Sequence, residues 1–297
     1  REPMRFDADC IACLVRQQYE LAERQPDQAA QTAFMRDVMR TIADAPEDVA
    51  APWLVPGFAE AARRRFGVTD AYDTIKRDSN ERALAMLPRI RQIVAAADDP
   101  LAMALKFSRT GNYLDFAVLP HDQIERELDS AIEKTPSEPL DAAEYKALRA
   151  DLKTARSLLI LGDNAGEIAF DVVLVEQLKR QYPTLSVQYA VRGGNAQNDA
   201  TRADAHAVGM DALVPILDNG SCIPGTELPY CGAELLRAFE QADVVLSKGQ
   251  GNFEGLLGCA RNVYYLFLCK CPRLCRILRQ PLMQPMLLND RRAEIDL

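Results

Sequence analysis

The chain has 297 residues, 48% of them hydrophobic, and a formal net charge of −8. That length suits one large or two ordinary domains, and the acidic balance excludes a chain built mainly to hold nucleic acid, whose affinity rests on neutralising phosphates. No apolar run approaches the roughly 18–20 residues of a membrane span, so no membrane partner is expected.

The polar start, Arg1-Glu2-Pro3-Met4-Arg5-Phe6-Asp7-Ala8-Asp9, does not read as a signal peptide. The expected location is therefore cytoplasmic, and the eight cysteines are expected to be thiols or ligands rather than disulfides. Asp9 stands where it can cap a helix running to about Glu23. Cys10 and Cys13 share a face of that helix at i, i+3. Two readings stand for this C-x-x-C: small apolar packing, or a thiol or zinc role, for which no second C-x-x-C or H-x-x-H is present.

Helical patterns continue at about 28–43, 56–66, 80–97, 100–107 and 141–155, with alanine and arginine frequent and β-branched residues few. Residues 1–150 therefore read as an α-helical region. Its polar interruption, Phe107 to Phe116, is expected to be a loop that reaches the cleft. Gly111 there permits an unusual backbone, and Arg109, Asn112 and Asp115 are candidate substrate contacts.

Residues 151–297 read differently. Leu158 to Leu161 is a buried strand, Gly162-Asp163-Asn164-Ala165-Gly166 a turn, and Glu167 to about Gln181 a helix. Further strands are expected at 185–191, 212–217, 243–247 and 262–268. The helices between them fit a mostly parallel sheet with helices on both faces.

In such sheets ligands sit beyond the carboxyl ends of the strands. Asp163 and Asn164 stand at one such end and Asn198-Asp199 at another. Their oxygen atoms suit a hard cation; Asp163-Asn164 alone is equally an ordinary turn and helix cap. Lys248 reads as the one lysine at a strand end, in the glycine-rich run Lys248-Gly249-Gln250-Gly251-Asn252 that leads into a helix. That arrangement suits a phosphate, although it is not a nucleotide-binding P-loop. A cation beside a phosphate pocket points to phosphoester hydrolysis. The two histidines, His121 and His206, are too few for a histidine-rich zinc hydrolase site.

Taken in order, Gly162-Asp163-Asn164-Ala165-Gly166-Glu167, Asn198-Asp199-Ala200-Thr201 and Lys248-Gly249-Gln250-Gly251-Asn252-Phe253-Glu254 resemble the damage-control phosphatases. This is the ARMT-like family, formerly a domain of unknown function. Cys10-x-x-Cys13 and the segment 109–116 resemble its prokaryotic branch. The resemblance implies a helical N-terminal region on a Rossmann-like, three-layer α/β/α domain, and a divalent metal (Mn, Co, Ni or Mg) on Asp163, Asn164 and Asp199. It implies phosphate on Lys248 with Asn252 nearby, and Asn198 at the same edge. Glu167 is expected to support or cap rather than to ligate. The implied activity is hydrolysis of small phosphate monoesters such as sugar phosphates or damaged phosphometabolites, with either a water or Asp163 attacking phosphorus. One departure is Cys269-Lys270-Cys271, where the family tends to show alanine-lysine-cysteine.

Two other readings remain. One is an S-adenosylmethionine-dependent carboxyl methyltransferase, which would leave Asp199 and Lys248 without a task. The other is a thiol-based sensor using Cys10, Cys13 and the cysteines at 269, 271 and 275. Substrate identity and oligomeric state are not encoded in any motif.

Overall fold

In the computed structural model, which describes residues 4–67, 72–111, 121–293 and 295, the chain begins with three helices that share a small core of their own. They are α1 (Ala8–Glu23), α2 (Gln28–Ala43) and α3 (Val55–Phe66). Phe34, Val38, Leu54 and Phe58 are buried among them. Asp7, not Asp9, caps α1: its carboxylate accepts the Cys10 N–H at 3.1 Å, and Asp9 falls inside the first turn. Gly67 ends α3 at φ +66°, the left-handed cap that glycine adopts without cost.

Four helices follow: α4 (Tyr72–Ala96), α5 (Pro100–Thr110), α6 (His121–Lys134) and α7 (Ala142–Thr154). In α4, Ala83, Leu87, Ile90 and Val94 recur at helical spacing, and all four are buried in the core that α4 shares with α5 and α8. The segment from Phe107 is not a loop at its start. Helix α5 continues to Thr110, and Gly111 keeps a right-handed backbone at φ −52°. Glycine is needed there for space, because a Cβ would lie 2.7 Å from the Cα of Glu167.

The strands are β1 (Ser157–Leu161), β2 (Ser186–Val191), β3 (Ile216–Asp218), β4 (Val244–Lys248), β5 (Val263–Cys269) and β6 (Gln284–Asn289). Between them lie α8 (Glu167–Gln181), α9 (Arg202–Ala207), α10 (Ala233–Gln241), α11 (Gln250–Leu256) and α12 (Pro272–Leu278). Among the described residues the sheet order is β3-β2-β1-β4-β5-β6. All pairs are parallel except β5–β6. This is the expected α/β/α architecture.

Strand alternation divides the core. Leu158, Ile160, Val244 and Leu246 face the layer of α4, α5, α7 and α8, whereas Leu159, Leu161 and Val245 face α10, α11 and α12. The first of these cores runs without a break from Ala83 through Leu152 into the strands. Residue 150 is therefore not a break in the packing. Among the described residues no helix is long and apolar enough to cross a membrane.

The α1–α3 unit meets the sheet layer partly through Glu227, whose carboxylate accepts the Ala50 N–H at 3.3 Å. Burial pushes that carboxyl up to about 7, the Ala50 N–H opposing and Asp48 adding to the rise. A carboxyl raised on folding contributes stability below its unfolded value and loses it as pH climbs through the folded one. Glu227→Gln is thus expected to match the wild type at pH 5 and to exceed it at pH 8 by on the order of 1–3 kcal/mol. Thermal melts at the two pH values check this; an equal difference at both would contradict it.

Candidate active site

The parallel order reverses between β1 and β4, so the chain leaves these neighbouring strands in opposite directions and opens a crevice at their carboxyl ends. The turn after β1 and the segment after β2 are stitched together there. Ala165 N–H donates to Asn198 O at 2.8 Å, and Ala200 N–H donates to Asp163 O at 2.7 Å. Asn164 and Asp199 form an isolated β-bridge. Two acidic residues far apart in sequence are thereby fixed side by side, with Asp163 and Asp199 both buried.

Each carboxylate is held from behind. Asp199 accepts from Arg192 Nε at 2.5 Å and from Gly225 N–H at 3.1 Å. Asp163 accepts from Asn164 Nδ2 at 2.9 Å. Burial raises the Asp163 carboxyl well above the usual range, and the nearby Glu167 and Asp199 carboxylates raise it further, against Arg192 and Lys270. The loop after β4 presses on the same group. Gly249 has φ +80°, and a Cβ there would lie 2.0 Å from Asp163 Oδ2.

Gly249→Ala is accordingly expected to cost about 1–3 kcal/mol through its backbone alone and to push the Asp163 carboxylate off its position. Its catalytic loss should exceed what its melting temperature predicts. A variant with wild-type kcat/KM would contradict the close approach.

A cleft of about 630 Å³ opens over these groups. Asp163, Asn164, Asn198 and Asp199 line one part, and Gln250, Glu254 and Lys270 line another. Helix α1 supplies Cys10, Cys13 and Arg16. Lys270 directly follows β5, and its N–H donates to Gln250 Oε1 at 3.0 Å. Gln250 Nε2 in turn donates to Glu254 Oε1 at 2.8 Å. Burial raises the Glu254 carboxyl, with the Gln250 bond opposing.

Lys248 is elsewhere, which corrects the phosphate role expected for it. It is fully buried. Its Nζ donates to Glu167 Oε1 and Asp171 Oδ1, both at 2.7 Å, and to Ser108 O at 3.1 Å. Burial alone would lower its pKa, but Asp171 and Glu167 outweigh it and hold the ammonium above the ordinary lysine range. Asp171 also accepts from Ser108 Oγ at 2.5 Å and Tyr189 OH at 2.6 Å. This buried network lies beneath the cleft; Glu167, whose Oε2 also accepts from Asn164 Nδ2 at 3.4 Å, connects the two.

Two further expectations are corrected. Asn252 is buried and fully engaged. Its Nδ2 donates to Gly162 O and Lys248 O at 3.0 and 2.7 Å, and its Oδ1 accepts from Arg192 and Thr226. It ties the ends of β1 and β4 together and has no capacity left for phosphate. Arg109 is also buried, with Nη2 donating to Pro139 O at 2.9 Å and to Glu138 at 3.2 Å, away from the cleft. Asn112 and Asp115 lie outside the described residues.

Among the described residues no three His, Cys, Asp or Glu side chains are gathered to hold a metal. A zinc role for Cys10 and Cys13 thus lacks a ligand set there. Burial instead pushes the Cys10 thiol up to about 11, which leaves it protonated. The Asp163–Asp199 pair is different. Two carboxylates and an amide oxygen, presented by a half-turn of the Asn164 amide, suit a hard cation that keeps several waters.

This arrangement has a known counterpart. The family described as the damage-control phosphatase ARMT1-like domain matches residues 6–284. The chain belongs to that family. A damage-control phosphatase of Archaeoglobus fulgidus is 32% identical over 212 residues, covering 71% of this chain and 72% of that protein. An uncharacterised protein of Methanocaldococcus jannaschii is 29% identical over 280 residues, covering 91% and 90%. The crystal structure of a DUF89 family protein from Pyrococcus horikoshii superposes with a TM-score of 0.81 at 27% identity, covering 97% of this chain and 99% of that one. Membership in the damage-control phosphatase family makes the cleft above Asp163 and Asp199 the candidate active site. Gln250, Glu254 and Lys270 stand within the quoted motifs, but neither they nor Arg192 carry a role there; the structure places Gln250, Glu254 and Lys270 on the cleft and Arg192 against Asp199.

Proposed function

We propose that the chain hydrolyses small phosphate monoesters with a divalent cation held by Asp163, Asn164 and Asp199, and with Lys270, rather than Lys248, holding the phosphate. The observation that carries this reading is the convergence of those three oxygen-bearing side chains at the β1/β4 crevice, on a cleft that Lys270 also lines. The crowding of Asp163 by Glu167 and Asp199 supports it, because a buried carboxylate cluster is stabilised by a cation at that position.

A divalent cation bound there would polarise a phosphate oxygen. The protein's own groups do the rest. Lys270, close enough to Asp163 to influence its charge, offers an ammonium to the charge that develops on the transferred phosphoryl group. Arg192 and Gly225 fix the Asp199 carboxylate, so it does not reorient as charge moves. Asn198, half-buried on the cleft wall, is positioned to contact substrate hydroxyls. Glu254, with a carboxyl that burial raises, can hold a proton for the departing alkoxide.

The test is phosphate release from a panel of sugar phosphates and related monoesters, with Mn, Co, Ni and Mg compared against chelator. Activity in the presence of chelator would refute the cation, and no release with any metal would refute the phosphatase. The methyltransferase reading is not favoured, since the family and the Archaeoglobus relative carry the phosphatase name.

A further inference from the structure

The segment that leaves β5 carries three cysteines in seven residues, Cys269, Cys271 and Cys275, on either side of Lys270. They are not equivalent. Cys269 is the last residue of β5 and fully buried. Cys275 lies one turn into α12 and is half-exposed. Their sulfur atoms are 3.2 Å apart, and Cys275 Sγ also points at Cys269 O at 3.7 Å. Cys271, nearer in sequence to both, instead faces the cleft.

We propose that Cys269 and Cys275 are a dithiol modification site. It closes to a reversible disulfide with a low-molecular-weight disulfide oxidant and clamps the Lys270 segment. The half-exposed Cys275 thiolate attacks the oxidant, forming a mixed disulfide and releasing one thiol. Cys269 sulfur then attacks Cys275 Sγ, releasing the second thiol, to which the Cys269 proton passes. Two protein thiols and one small disulfide become one protein disulfide and two small thiols.

Burial and the Cys275 hydrogen bond push the Cys269 thiol up to about 12. Its attack therefore gains about tenfold for each pH unit between 7 and 9, as its thiolate fraction rises. The sulfur atoms must approach by more than an ångström to reach a bond of about 2.05 Å. That draws the start of α12 towards the end of β5. The ring so closed contains Lys270, whose N–H is anchored on Gln250, and Arg273, which pairs with Asp7 at 2.5 Å. The effect on activity rests on the reading of Lys270 as the phosphate-holding group; formation of the disulfide does not.

The experiment treats the whole protein with oxidised glutathione and digests it with trypsin without reduction. Residues 262–270 and 274–276 should appear joined, two hydrogens lighter than the separate peptides. The joined species should be absent from Cys269→Ala and from Cys275→Ser. Oxidised enzyme should show KM for a phosphate monoester raised about tenfold, the loss of roughly one charged hydrogen bond, and dithiothreitol should restore it. Cys269→Ala should keep its KM through the same treatment. Absence of the joined peptides, or preferential joining through Cys271, overturns the site. The joined peptides with unchanged KM overturn the clamp. A fully reduced enzyme that hydrolyses nothing would instead count against the phosphatase reading, while the peptide masses still decide the disulfide.

Discussion

Lys270→Ala is expected to fold like the wild type and to lose about 10²–10³ in kcat, the usual cost of removing one group that stabilises transition-state charge. Lys248→Met is expected to do the reverse of this in its first effect: about 3–5 kcal/mol of stability should go, because Glu167 and Asp171 would be left as buried carboxylates without their cation. The contrast follows from exposure. Lys270 is half-exposed on the cleft wall, and Lys248 is sealed beneath it by three acceptors. Thermal melts and kcat/KM on the same preparations separate the two roles. Lys248→Met with an unchanged melting temperature and abolished turnover would return the phosphate to Lys248.

The misplacement of Lys248 has a legible cause. Chain position put it at a strand end, but strand parity decides where its side chain goes. Val244 and Leu246 face the α4–α5–α8 layer, so Lys248, two residues on, faces it too. Asp171, set in the apolar run Phe170-Asp171-Val172-Val173, was the matching signal, since a carboxylate at a core position requires a partner. Lys270 stood in the Cys269-Lys270-Cys271 run without a role, because the fifth strand runs one residue past its expected end at Leu268 and so brings Lys270 to the strand edge. The Asx pairs were more legible: 163–164 directly follows the continuous apolar run Leu158–Leu161 of a buried parallel strand, and 198–199 lies just past the glycine turn that ends the interrupted run Leu185–Val191. Their pairing across the crevice was not, because it depends on backbone bonds between loops that share no pattern. The last strand was obscured by Pro281 and Pro285. An antiparallel edge strand tolerates proline, and β6 pairs on one side only.

Asp163→Asn is expected to abolish activity and, in chelator, to melt above the wild type. The sign follows from the site's electrostatics. Burial and the Glu167 and Asp199 carboxylates raise the Asp163 carboxyl on folding, so in the absence of a cation its contribution to stability is present at low pH and is lost as pH rises through the folded value. The amide carries no charge at any of these pH values and is nearly isosteric. Relief of roughly 1 kcal/mol in chelator at pH 8 would raise melting by about 2–4 °C in a chain near this size, and the gap should narrow towards pH 4. Added metal should invert the order. A cation at 100 times its dissociation constant stabilises the wild type by about 2.7 kcal/mol, whereas the variant, short of one carboxylate ligand, gains far less. The crossing of the two melting curves with metal distinguishes a carboxylate kept for a cation from one kept for the fold: a structural Asp163 would leave the variant less stable in chelator as well, and metal would shift both proteins equally.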